Sequence, residues 1–500
     1  MAVLDNLEPK QVFHFFEELC KIPHATFDTK RISDYCVAFA KERGLEVSQD
    51  EVNNVIIKKP GTPGYEDSEP VILQGHLDMI CEKTPDSDHD FTKDGLDLYV
   101  EDGYVRARNT SLGGDDGIAV AMAMAVLDSK DIPHPPIEAV FTVDEELGMG
   151  GAEAVDLSQL KGKMLINIDS EEEGILTTGC AGGIFYKTVI PMKKEAAEGS
   201  LVKIRIHGLL GGHSGNEIHK QRGNANKMMG RLLYRLGKET DLRLTEIAGG
   251  SKDNVITMNC EAGVLVPAEQ AEKVEAMTEE MKQIWLDEFM GEEPTLAVDY
   301  QTDKDVHIDA YDKDSTTRVI TYLEICPNGL QEYSRKLKGI VESSLNLGVI
   351  ECDDTSVTTQ YLIRSSVESR KQQMREQVEL SAIIAGGKGE TTGEYPAWQF
   401  KPDSKLRPLM IETYKELYGE EPVVSAVHAG LECGLFLGKR PDLDCVSCGP
   451  NLLDIHSFNE HLDIASTQRT WEYLLVHKDN LCISPGDFKE VQIRKHRVSL

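Results

Sequence analysis

The chain has no apolar run near the ~18 residues that a membrane-spanning helix requires; its longest, Gly117 to Leu127, stops well short. Its opening segment, MAVLDNLEPK, has neither the basic start nor the apolar centre of a secretion signal, so a cytoplasmic protein is expected. Positive charge is scarce too. With 53 Lys+Arg against 85 Asp+Glu the formal net charge is −32, which repels phosphate backbones and anionic lipid and argues against nucleic acid and membrane as partners. The 11 cysteines show no framework spacing, as suits a reducing compartment. One pair, Cys445 and Cys448, forms a CxxC without a second pair to complete a zinc site, and reads as two small buried apolar side chains. Two catalytic signatures are missing as well. Gly212-His213-Ser214-Gly215-Asn216 fails G-x-S-x-G at Asn216, and Gly148-Met149-Gly150 meets Glu153 where a dinucleotide fingerprint needs its third Gly.

What is present is enough chain for two domains, since 500 residues exceed what one hydrophobic core supports. The first ~185 residues alternate helix and strand signals in the α/β manner. Pro9 can open a helix whose apolar face is Val12, Phe13, Phe16 and Leu19, and a second runs through Ile32, Cys36 and Phe39 to Gly44. Asn54 to Lys58, Val71 to Leu73, Ile137 to Val143 and Met164 to Ile168 read as strands, with a hairpin turning at Asp102-Gly103 and an Ala-rich helix after Gly117. Near Ala181 the register changes: Val202, Ile204 and Ile206 alternate with Lys203, Arg205 and His207, a strand with one wet face. Helical stretches at Asn226 to Leu236, Ala268 to Met290 and Glu368 to Ile384 are interleaved with more such strands, and the two halves of 201–389 share a rough strand-helix-strand-strand-helix order. From about Gly393 the α/β style returns, with a helix from Ser404 to Leu417, strands at Val423 to Val427 and Asp444 to Ser447, and a closing helix from Asp463 to Val476.

Metal-type ligands recur along the α/β parts: His76 in GHLD, Asp115 in GGDDG, Glu145 and Glu146 in DEELG, Asp169 in INIDS and His456 in DIHSFNE, each expected at the end of a strand. Two divalent ions sharing one carboxylate would require such a set. Singly, a His or a carboxylate after a strand is usually a surface or capping residue; their coincidence points to a metallohydrolase. Asp78 lies two residues beyond His76, where it can orient the imidazole. Side chains at Glu145 and Glu146 point apart on extended chain, so one can bind metal while the other acts as general base. A non-catalytic metal-binding protein would use the same ligands.

The ordered set GHLD, GGDDG, DEELG, INID and HSFNE, around a long insertion, resembles the di-zinc exopeptidases, which include carnosinases, aminoacylases, tripeptide aminopeptidases and bacterial dipeptidases. The likeness extends to TGCAGG at 178–183, GGHSG at 211–215 and HAGLECG at 428–434. It implies an α/β catalytic domain with a mixed central sheet, formed by residues 1–185 and 390–500, interrupted by an α+β lid domain of residues 186–389. It also implies two divalent ions, zinc first, with manganese or cobalt able to substitute. Asp115 would bridge them, His76 and Asp169 completing one and Glu146 and His456 the other. Glu145 would be the general base and Asp78 the orienter of His76, while His461 would be a helix-start or surface residue. His213 would stabilise the oxyanion, Asn254 would contact substrate, and Arg364 would hold the free carboxylate. The implied activity is hydrolysis of dipeptides, Xaa-His and β-alanyl ones included; tripeptide aminopeptidase or N-acyl amino acid hydrolase activity is the alternative. Related proteins leave a homodimer open.

Overall fold

The computed structural model describes residues 3–480. The chain forms two compact units. The first takes in the chain up to Thr178, Lys401–Val424 and the chain from Lys439 on; the second is Gly179–Phe400 with Ser425–Gly438. The sequence reading placed 425–438 in the catalytic region, and the structure groups it with the second unit. The reason is local: Val427 accepts the Ala181 N–H at 3.0 Å, and His428 Nε2 lies 2.7 Å from the Ser344 hydroxyl.

The first unit is built on an eight-stranded mixed sheet. Its middle strands, Ile137–Thr142, Val71–His76, Met164–Asn167 and Asp444–Ser447, are mutually parallel in that order. All their residues are buried, as strands covered on both faces must be, which is why they read as unbroken apolar runs. The helix Lys10–Cys20 opens behind Pro9 and packs Phe13 and Phe16 against the helix Gly114–Asp128. Gly117 permits that approach, because a Cβ there would lie 3.2 Å from the Phe16 ring. Parallel strands end together, so the residues that follow them gather at one edge of the sheet.

The second unit is a nine-stranded sheet whose recorded pairings are antiparallel. On Lys194–His207, Val202, Ile204 and Ile206 enter a core with Met229, Leu232 and Leu236 of the helix Ala225–Glu239, while Lys203 and Arg205 stay exposed. The order strand-helix-strand-strand-helix occurs twice, ending at the helices Ala271–Phe289 and Glu368–Ile384, with Gly329–Tyr333 as an extra strand in the second round. The longest helix that the sequence reading did not name lies here. Lys313–Ile325 is rich in Thr and β-branched residues, which weakens the helical signal, yet Asp312 caps it by accepting the Ser315 N–H at 2.7 Å.

Candidate metal centre

The parallel strand ends bring the expected donors of the first unit together. His76 is the last residue of its strand, Glu146 and Asp169 follow the neighbouring strands, and Gln74 and Asn167 tie two strands together by an amide hydrogen bond of 2.6 Å. Asp115 follows no strand end directly; it sits at the start of the helix Gly114–Asp128, in the glycine-rich turn expected to present it just before a helix. That turn is held from elsewhere in the chain, because the buried Glu460 carboxylate accepts the N–H groups of Leu112, Gly113, Gly114 and Asp115 at 2.7 to 3.3 Å.

The two Asp115 oxygens face different imidazoles. Oδ1 lies 3.1 Å from His76 Nε2, and Oδ2 lies 3.1 Å from His456 Nε2. Beyond them, Asp169 Oδ1 is 3.6 Å from His76 Nε2 and Glu146 Oε2 is 2.9 Å from His456 Nε2. His76 Nδ1 is 3.0 Å from the Asp78 carbonyl oxygen and 3.5 Å from its carboxylate, which anchors a proton on Nδ1 and turns Nε2 toward the acids. The Asp78 carboxylate itself accepts the backbone N–H of Glu145 and of Glu146 at 3.0 and 3.3 Å and the Thr26 hydroxyl at 2.9 Å. It thus holds both the histidine and the paired glutamates. Asp116, not foreseen, joins His76 and Asp169 in the same cluster, its Oδ2 accepting the His76 N–H at 3.3 Å.

The electrostatics are those of a cation site. Burial, together with neighbouring carboxylates, pushes Asp169 up to about 6 and Asp116 well above its usual range. Hydrogen bonds to the Asp115 and Glu146 carboxylates push His456 up to about 11, and those to Asp115, Asp169 and Asp78 raise His76 in spite of its burial. Glu146 Oε1 is buried with no hydrogen-bond partner. Acids this crowded, with an orphaned oxygen among them and two imidazole Nε2 atoms turned to them, fit divalent metal ions, which neutralise the set without protons.

His461 is corrected by the structure. It is buried on the short strand His461–Asp463, edge-on to Tyr104 with ring centroids 4.7 Å apart, and its Nδ1 meets the Asn459 carbonyl at 2.8 Å. Cys445 and Cys448 are buried free thiols.

The second unit assembles its own polar cluster. His213 Nδ1 accepts the N–H of Gly215 and of Asn216 at 3.3 and 3.1 Å, which puts the ring proton on Nε2 as a free-standing donor. Burial and then the Arg364 charge lower its pKa and keep it neutral. Asn254 is held beside this loop, its carbonyl accepting the Ser214 N–H at 2.9 Å. Arg364 is buried and donates from Nη1 to the Tyr395 hydroxyl at 2.6 Å. Tyr395, His428 and Glu460 were missed by sequence reasoning. Glu460 closes the HSFNE string and His428 opens HAGLECG, but Tyr395 had no motif to announce it.

Known proteins resemble the chain over nearly its whole length. The chain is 38% identical over 478 residues to the cytosol non-specific dipeptidase of Escherichia coli, covering 95% of this chain and 98% of that protein. The crystal structure of aminoacylhistidine dipeptidase from Vibrio alginolyticus superposes with a TM-score of 0.89 at 38% identity, covering 95% and 98% of the two chains. That of aminopeptidase PepT from Bacillus cereus, at 16% identity and a TM-score of 0.56 over 95% and 99%, shows a shared fold. The model of Peptidase family M20/M25/M40 matches residues 72–475, and the chain belongs to that family.

Proposed function

We propose that the protein is a cytoplasmic metal-dependent dipeptidase that hydrolyses short peptides with a free amino end and a free carboxylate, Xaa-His dipeptides among them. The observation that carries this reading is the Asp115 carboxylate, whose two oxygens each meet the imidazole of a different donor group. His76 and Asp169 would hold one ion, Glu146 and His456 the other, and Asp115 both. Divalent ions held there, zinc first, supply Lewis acidity and lower the pKa of a water.

The chain's own residues do the rest. Glu145, whose backbone N–H is fixed by Asp78, takes the proton of the attacking water and returns it to the leaving amine. His213 donates from Nε2 to the developing oxyanion, a role that requires the neutral tautomer its Nδ1 hydrogen bonds enforce. Arg364 pairs with the terminal carboxylate through its planar fork of donors, and Asn254 contacts the peptide. The first unit is then the catalytic one and the second the unit that holds substrate.

The reading is tested by metal analysis together with hydrolysis of a dipeptide panel by metal-replete and chelated protein. Two divalent ions per chain are expected, with activity lost on chelation and restored on metal return. Activity that survives complete chelation would overturn it, and bound metal without hydrolysis would leave a metal-binding protein.

A further inference from the structure

Arg364 does not stand alone on its strand. Antiparallel pairing sets Ser344, Arg364, Gly183 and Tyr395 opposite one another, in one row across the strands Val341–Cys352, Ser356–Ser365, Gly182–Pro191 and Lys388–Tyr395. Residues directly opposite in antiparallel strands share a face, with side chains about 5 Å apart. Arg364 and Tyr395 are therefore separated by a whole strand, and they touch only because the position between them has no side chain. A Cβ at Gly183 would lie 2.3 Å from Tyr395 Cζ and 2.5 Å from its hydroxyl oxygen. Across that gap the Tyr395 hydroxyl accepts from Arg364 Nη1 at 2.6 Å. The guanidinium carries donors only, so this bond commits one edge of it. Its Nε is buried and without a hydrogen-bond partner. On the far side of Arg364 in the row, the Ser344 hydroxyl is engaged by His428.

A buried arginine with one edge tied and a donor left over is poised for an anion. An Arg side chain is long, and a bidentate pair forms only when the plane of the fork is set. We propose that Tyr395, reaching through the gap left by Gly183, is the positioning residue of Arg364: it fixes the fork so that the untied donors meet the substrate's terminal carboxylate, and so sets the preference for peptides ending in a free acid. This rests on the assignment of Arg364 as the carboxylate clamp. Gly183 belongs to the role as much as the phenol does, since any side chain there would displace the ring.

The test uses the full-length, metal-replete enzyme with alanyl-histidine and its C-terminal amide as substrates. Tyr395→Phe should raise KM for the acid about tenfold, the worth of a well-placed charge-assisted hydrogen bond, with kcat within about twofold. KM for the amide and the melting temperature should not move. Gly183→Ala keeps the phenol but pushes it aside, and should give the same acid-only loss; the double variant should be no worse than Gly183→Ala. Arg364→Ala is the reference and should erase the difference between acid and amide. If it does so while Tyr395→Phe and Gly183→Ala leave the acid KM untouched, the positioning role is wrong and the clamp stands. If Arg364→Ala itself leaves the acid-to-amide ratio intact, the clamp falls and the proposal with it. Equal losses on both substrates with a lowered melting temperature would make Tyr395 a structural residue and overturn its role.

Discussion

The Glu460 carboxylate and the backbone N–H of Asp115 lie 3.3 Å apart, the last of four successive amides that this one buried side chain receives. The loop that presents Asp115, the proposed shared ligand, is thus shaped by an acid from the far end of the chain.

Glu460→Gln should loosen both metals and destabilise the first unit. One of its two terminal atoms becomes an NH2 facing backbone N–H donors, and leaving buried donors unmatched costs ~1–3 kcal/mol. Metal titration and thermal unfolding would detect it. Unchanged metal affinity and melting temperature would show that the loop holds itself.

Glu145→Gln should keep its metal content while turnover falls ~100-fold or more, because only the proton acceptor is removed. Asp115→Ala should instead lose both ions, since each of its oxygens serves a different imidazole. Stoichiometry measured on the two variants separates base from bridge. Zinc lost from Glu145→Gln would make that residue a ligand, and two tight metals in Asp115→Ala would remove it from the bridge.

His213→Ala should reduce turnover of peptide acids and amides alike, by an oxyanion donor worth ~3 kcal/mol. Arg364→Ala should weaken binding of the acids alone. The contrast is read from kcat and KM on matched substrates; equal losses on acid and amide in Arg364→Ala, with normal folding, would place the carboxylate clamp elsewhere.

His428 makes stability depend on pH. Burial, and then Arg364, push its pKa down to about 3, whereas an unfolded histidine titrates near ~6.5. Above ~6.5 neither state is protonated and stability is full; below it the unfolded chain binds the proton first, so stability falls by ~1.4 kcal/mol per pH unit as acid is added. In His428→Gln this contribution is absent. Melting temperatures of the two proteins from about pH 7 to about pH 4.5 should therefore show a steeper decline for the wild type, and parallel curves would mean that His428 is protonated in the fold.

The proposed metal donors were legible in the sequence because each is tied to a local signal: an apolar run that ends in a His or an acid, or glycines that announce a turn before a helix. Sequence also sufficed for Glu368–Ile384 and Asp444–Ser447, whose bounds agree with the structure. What escaped depends on long-range pairing. Nothing near Tyr395 or Gly183 in the chain says that they face each other on adjacent strands, since register is set by packing against the whole sheet. His461 misled for a related reason: the residues before a helix look like its cap, and only its pairing with Leu453 and Arg106 reveals a strand.

The separation of 341 residues between Asp115 and His456 has a consequence during synthesis. A ribosome makes His76, Asp115, Glu146 and Asp169 first and must then complete the entire second unit before His456 emerges. Through that interval the nascent chain holds at most part of the proposed donor set, so on that assignment a hydrolase acting on peptides would stay inert beside the translation machinery until the chain is nearly finished. On the proposed assignment, a product cut short before residue 456 would lack one donor and with it peptidase activity.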